Sequence, residues 1–217
     1  MSSGAGRALC TRCARAQRNC ICALAQRVDC AAEVLILQHP LEVHEAKGTA
    51  RLLHLCLARS RLEIGEQFDA QQLQDWLQQD WQDWQGDAGA PAPRSVLLYP
   101  ESAPDPALPL APAPALPAEW LQAPARLRLV VIDGTWRKSR KMLYRNPLLQ
   151  QLPRLALHEL PASRYAIRRA HRPGQLSTLE ATACALAQLE PHNQELDRLL
   201  QAMDALVRRE QQWRPQG

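Results

Sequence analysis

The stretch LVVIDGTWRKSRKMLYRNP, Leu129 to Pro147, runs from an unbroken apolar segment to a lone carboxylate, a glycine and a tryptophan, and then into a row of basic residues. An apolar run without alternation reads as a strand buried on both faces. With the preceding residues it gives ARLRLVVID, a strand that ends on Asp133. In an open α/β sheet ligands bind at the carboxyl ends of the strands, so Asp133 is the candidate catalytic residue. Gly134 lets the backbone turn or approach a ligand, Thr135 can cap the next helix, and Trp136 follows. A structural reading of the same residues also exists: turn, cap and core. The run Arg137, Lys138, Arg140, Lys141 and Arg145 bears on the choice. Such a helix face is usually only solvated, but directly beside a strand-end carboxylate it suits chemistry on a polyanion.

Working outward, EVLILQHP (Glu33–Pro40), RSVLLYP (Arg94–Pro100) and RLALHEL (Arg154–Leu160) read as further strands. A helix is expected from about Gly48 through TARLLHLCLARS. DAQQLQDWLQQDWQDW sets Leu73, Trp76, Leu77, Trp81 and Trp84 near one helical face, with Asp69 as N-cap. LSTLEATACALAQL opens with Ser177 and Glu180 at capping-box spacing, and an amphipathic helix runs from about Asn193 to Gln212. Strands alternating with helices predict an α/β fold, a mostly parallel sheet flanked by helices on both faces. Residues 101–124, rich in proline and alanine, read as a surface loop. Two more segments carry strand-end or helix-start signals. YPES (Tyr99, Pro100, Glu101, Ser102) follows a strand, and Leu176, Ser177, Thr178 and Glu180 open a helix whose free N–H groups suit an anionic ligand. Together with Asp133 to Trp136 they suggest one pocket.

The 217 residues, 46% of them hydrophobic, suffice for one α/β domain with a small appendage. The net charge of +4 is mild, but both ends and Arg137–Arg145 are basic while Glu63–Asp87 is acidic. No apolar run reaches the length of a membrane span, and MSSGAGRALC lacks a signal-peptide core, which predicts a cytoplasmic protein with reduced thiols. Four of the seven cysteines form CTRCARAQRNCIC. Cys10, Cys13, Cys20 and Cys22 can close a tetrahedral zinc site as thiolates; a redox CxxC would follow a strand, and none precedes this one. Residues 1–30 are therefore expected to form a zinc knuckle, and 31–217 the main domain. The knuckle's Arg7, Arg12, Arg15 and Arg18 suit either phosphate contact or plain solvation. The histidines present no second metal pattern, and no P-loop, G-x-S-x-G or G-x-G-x-x-G occurs.

In combination, DGTW, RKM, NP, SRYAIRRA, LSTLEA and HPLEVHEAKGTARL, with the cysteine spacing, resemble the DTW-domain proteins over nearly the whole chain. That resemblance implies a SPOUT-like fold with a C-terminal knot. It implies transfer of the 3-amino-3-carboxypropyl group of S-adenosylmethionine to N3 of a tRNA uridine, giving acp3U and methylthioadenosine. On this reading Thr49, Arg51, Tyr99–Ser102, Asp133–Trp136, Leu176, Ser177, Thr178 and Glu180 grip the donor, and Arg51 or Arg168 holds its methionyl carboxylate. Arg137, Lys138, Arg140, Lys141, Arg145 and Arg168 contact tRNA. Asp133 acts as base or as anchor: a reference aspartate pKa of about 3.9 is far below that of the uridine imide. The alternatives are an RNA methyltransferase using the same donor and a zinc-containing RNA-binding protein without catalysis.

Overall fold

The structure, a computed structural model, describes residues 8–79, 81, 92–101, 103–157, 163–164 and 176–212. Its strands are β1 (Glu33–Gln38), β2 (Ser60–Ile64), β3 (Arg94–Leu98), β4 (Leu127–Asp133) and β5 (Arg154–Leu155). They form one sheet in the order β2-β1-β4-β3-β5, parallel at every pairing. The helices are α1 (Ala50–Cys56), α2 (Ala70–Gln78), α3 (Trp136–Arg145), α4 (Pro147–Gln150), α5 (Thr178–Leu189) and α6 (Asp197–Gln212).

Alternation along the apolar strands sends side chains into two cores. Val34, Ile36, Leu129 and Val131 join Leu53 of α1, Leu186 of α5 and Leu199, Met203 and Leu206 of α6 on one face. Leu35, Leu37, Leu97 and Val130 join Leu73 and Trp76 of α2, Met142 and Leu143 of α3 and Leu149 of α4 on the other. Because both faces are covered, the central strands needed no polar alternation. The cysteine-rich segment packs on the first face, where Ile21 and Val28 are fully buried. Among the described residues no helix is long and apolar enough to cross a membrane.

Two expected elements change. The helix after Gly48 stops at Cys56, Leu57 is extended, and the chain re-enters the sheet as β2. Ser60 helps the turn, its hydroxyl donating to Leu57 O at 3.1 Å. SRLEI escaped notice because an edge strand is covered on one side only, and these residues are half-buried or exposed. The strand expected over Arg154–Leu160 comprises Arg154 and Leu155, and residues 158–160 lie outside the described residues. The capping expectations hold: Gln72 N–H donates to Asp69 Oδ1 at 2.9 Å, and Ser177 and Glu180 form a complete capping box. α2 ends at Gln78, so Trp81 is buried just beyond it, while Trp84 is outside the described residues.

At the amino end of the sheet, Arg128 of β4 lies opposite Glu33 of β1 and is fully buried. Its Nε donates to Glu33 Oε2 at 2.8 Å, and its Nη atoms donate to Trp76 O at 2.6 Å and Gln79 O at 2.9 Å. The guanidinium thus satisfies carbonyls at the end of α2, where a cation also complements the helix dipole. It stacks 4.2 Å over the Trp81 ring, and Arg59 adds a second cation to Glu33 at 3.1 Å. Removing one partner of such a pair strands a buried charge. Arg128→Ala should lower unfolding free energy by about 3–5 kcal/mol in urea titration. Arg61→Ala, which breaks the more exposed pair with Glu63, should cost under about 1 kcal/mol.

Candidate functional site

β1 and β4 are neighbours, but α1 after β1 packs on one face and α3 after β4 on the other. The chains diverge to opposite faces after the carboxyl ends of these strands, which makes this the topological switch point, the position at which open α/β sheets bind ligands. The last residues of the pairing, Gln38 and Asp133, stand side by side at that point.

Asp133 is buried, and each carboxylate oxygen accepts a side-chain hydrogen bond. Gln38 Nε2 donates to Oδ2 at 2.8 Å, and the Thr178 hydroxyl donates to Oδ1 at 2.6 Å. These donors fix the plane of the carboxylate and hold it as an acceptor. Thr178 opens α5, and the next residue, Leu179, donates its N–H to Thr49 Oγ1 at 3.2 Å. Glu180 accepts from Ser177 N at 2.7 Å and Arg164 N at 2.7 Å. Thr49, Asp133, Ser177, Thr178 and Glu180 therefore come together, as the sequence suggested, with Leu176 half-buried beside them.

Gly134 is needed for a close approach, since a Cβ there would lie 3.2 Å from Lys138 Cβ. Thr135 caps α3, accepting from Lys138 N at 3.4 Å. Trp136 is not core: it is 54% exposed and meets the buried Tyr99 ring edge-on at 5.8 Å. Pro100 and Glu101 are exposed, whereas Ser102 and Arg168 lie outside the described residues. Arg51 is half-buried on α1, and burial lowers its pKa. His39 serves locally, its Nδ1 accepting from Leu41 N at 3.1 Å. Gln38 was missed, although a polar residue closing an apolar strand is the signal that singled out Asp133.

Helix α3 carries its basic residues differently from a bare solvated face. Lys138 pairs with Glu42 at 2.7 Å, Arg140 with Asp105 at 3.6 Å, and Lys141 and Arg145 with Glu66 at 2.7 and 3.3 Å. Glu42, Glu66 and Asp105 lie beyond β1, β2 and β3 respectively, so the helix after β4 stitches the other loops of the same sheet edge. Arg137 is exposed, and so is Tyr144 at 46%.

In the amino-terminal segment the Sγ atoms of Cys10, Cys13, Cys20 and Cys22 all lie within 4.8 Å of one another. Cys10 and Cys22 are 3.6 Å apart, and Cys13 and Cys20 3.8 Å. A tetrahedron with Zn–S bonds of about 2.3 Å has S···S edges of about 3.8 Å, so this donor set fits zinc. Main-chain N–H groups of Cys13 and Arg12 lower the Cys10 thiol to about 6, while burial pushes Cys22 up to about 12. The turn is tight enough to set Ala14 at φ 57, a backbone region glycine prefers.

The fold is that of a parallel α/β protein with a buried carboxylate at its switch point and a cysteine cluster at its amino end. The DTW domain matches residues 7–211, and the chain belongs to that family. It is 29% identical over 202 residues to tRNA-uridine aminocarboxypropyltransferase 2 of Macaca fascicularis, covering 91% of this chain and 61% of that relative. The Drosophila melanogaster protein of the same name is 28% identical over 204 residues, covering 92% of this chain and 73% of the relative. For tRNA-uridine aminocarboxypropyltransferase A of Arabidopsis thaliana the figures are 26% over 221 residues, 93% and 80%. The chain thus spans under two thirds of the macaque relative. No solved structure matches it.

Glu66 yields a pH test. Its close ion pair with Lys141, with the nearby charge of Arg145, holds its carboxyl below the usual value. A depressed folded pKa gives stability that is present above the unfolded value and lost as pH falls through the folded one. Glu66→Gln should therefore melt lower than wild type at neutral pH. The gap in Tm should narrow as pH drops below about 4.3, the reference glutamate value.

Proposed function

We propose that this protein is a tRNA-uridine aminocarboxypropyltransferase, transferring the 3-amino-3-carboxypropyl group of S-adenosylmethionine to N3 of a uridine. Residues 1–30 form its metal-bearing head and residues 31–217 its catalytic unit. The observation that carries the reading is the Asp133 carboxylate, buried at the carboxyl ends of β1 and β4 and held by Gln38 and Thr178. Family membership and the names of the relatives support the reaction class.

The donor supplies a sulfonium leaving group, so most of what the chain contributes is orientation. Asp133 accepts a hydrogen bond from the uridine N3–H and anchors the base; as N3 bonds to the propyl carbon the C–S bond breaks, methylthioadenosine leaves and the N3 proton passes to solvent. Fixed by two donors, it suits anchoring better than it suits roaming proton transfer. The α5 opening, with Thr49, Leu176, Ser177, Thr178 and Glu180, and the Tyr99–Ser102 and Gly134–Trp136 loops bind the donor so that its propyl carbon and not its methyl faces N3. Arg51 or Arg168 takes the methionyl carboxylate. Arg137, Lys138, Arg140, Lys141, Arg145 and Arg168 meet tRNA phosphates, and Tyr144 adds an exposed ring on the same helix. The cysteine cluster holds zinc as a closed structural site. A SPOUT-like relation with a C-terminal knot belongs to the same reading, and the parallel sheet agrees with the relation. The absence of a membrane-crossing helix among the described residues is compatible with a cytoplasmic site.

Incubation with tRNA and S-adenosylmethionine should release methylthioadenosine and add the aminocarboxypropyl mass to a uridine; addition of a methyl group would replace this reading with a methyltransferase, and tRNA binding without turnover with a mere binder. Asp133→Asn should lower kcat/KM by about 10²–10⁴-fold. Arg137→Glu should weaken tRNA binding and flatten its salt dependence by about one unit of log–log slope; unchanged binding would return that face to solvent. Cys10→Ser should lose bound zinc by elemental analysis.

A further inference from the structure

A short relay of hydrogen bonds joins the cysteine head to the sheet-edge site. Arg15 follows the Cys10–Cys13 turn, and its Nη2 donates to Gly48 O at 3.0 Å while Nη1 lies 3.8 Å from Glu210 on α6. Gly48 is itself held, its N–H donating to Glu45 O at 2.8 Å, and a Cβ there would come within 3.1 Å of that same oxygen. The next residue is Thr49, whose hydroxyl oxygen accepts from Leu179 N at 3.2 Å. Leu179 adjoins Thr178, the donor to Asp133.

The seam that this relay crosses is not fully packed. Arg15, Asn19, His44 and Arg209 are among the residues lining a cavity of about 200 Å³ between head, loop and α6. Polar ties therefore hold this seam: Arg15 ties the head to the loop at Gly48, and Arg209 of α6 ties to the head at Cys20 O.

We propose that Arg15 is a positioning residue that transmits the order of the cysteine head, through Gly48 and Thr49, to the first turn of α5 and so to Asp133. Its consequence for catalysis rests on the functional reading above, but the coupling itself is a property of the folded chain and is read without substrate. A first-turn amide has no acceptor within its own helix, so protection of the Leu179 N–H reports the Thr49 contact directly. A charged hydrogen bond is worth enough that its loss should speed local opening roughly tenfold.

The test is amide hydrogen exchange on full-length, metal-loaded protein, comparing wild type with Arg15→Ala and Arg15→Lys. In Arg15→Ala the Leu179 amide should exchange roughly tenfold faster while the Val130 amide, central in β4, keeps its wild-type rate. Arg15→Lys should restore part of the protection, and chelation of the metal should reproduce the Leu179 change. An unchanged Leu179 rate, or an equal acceleration at Val130, overturns the proposal. If Arg15→Ala does not fold, Arg15→Lys decides by the same two amides, an intermediate Leu179 rate with Val130 unmoved being the supporting result. Failure of the aminocarboxypropyl reading is distinguished separately, as wild-type protein that yields no methylthioadenosine whatever the exchange rates.

Discussion

The parallel pairing of β1 with β4 is the constraint on which the rest depends. It runs from Glu33–Arg128 at one end to Gln38–Asp133 at the other, and the two ends do opposite work. At the amino end a buried ion pair locks the register and satisfies the end of α2. At the carboxyl end the same register delivers an amide and a carboxylate side by side. A slip of one residue would turn every strand side chain to the wrong core and separate Gln38 from Asp133 at once. The buried ion pair and the Gln38–Asp133 contact are thus fixed by one alignment.

Helix α3 shows how charge can be both structure and surface. Its lysines and arginines reach back to carboxylates in the loops after β1, β2 and β3, while Met142 and Leu143 pack into the core. That arrangement keeps a polar rim around the carboxyl edge of the sheet. It also means that the residues facing outward, Arg137, Tyr144 and Trp136, are the ones most available to a partner.

The strands β1, β3 and β4 were legible because continuous apolar runs of that length have few other uses, and Asp69, Ser177 and Glu180 were legible because caps depend on nearest neighbours. Asp133 stood out for a related reason: a charge ending an apolar strand has no core to join. What escaped the sequence is whatever depends on distant partners. SRLEI is a strand only because β1 lies beside it. Glu42, Glu66 and Asp105 are spread along the chain and become one set only when α3 crosses them. Arg128 sits inside an otherwise apolar strand, and only its fold-given neighbours, Glu33 and the end of α2, make it a fully buried cation.

The two margins of the sheet differ in kind. β2 presents alternating Arg61 and Glu63, paired at 3.0 Å, along its outer length, and β5 offers only two residues for pairing. Unpaired strand margins invite self-association, and charge or shortness is how folded proteins discourage it. Among the described residues, one border is thus made unattractive to another copy's backbone and the other gives it little to hold, which discourages chains crowded together during synthesis from stacking into fibres.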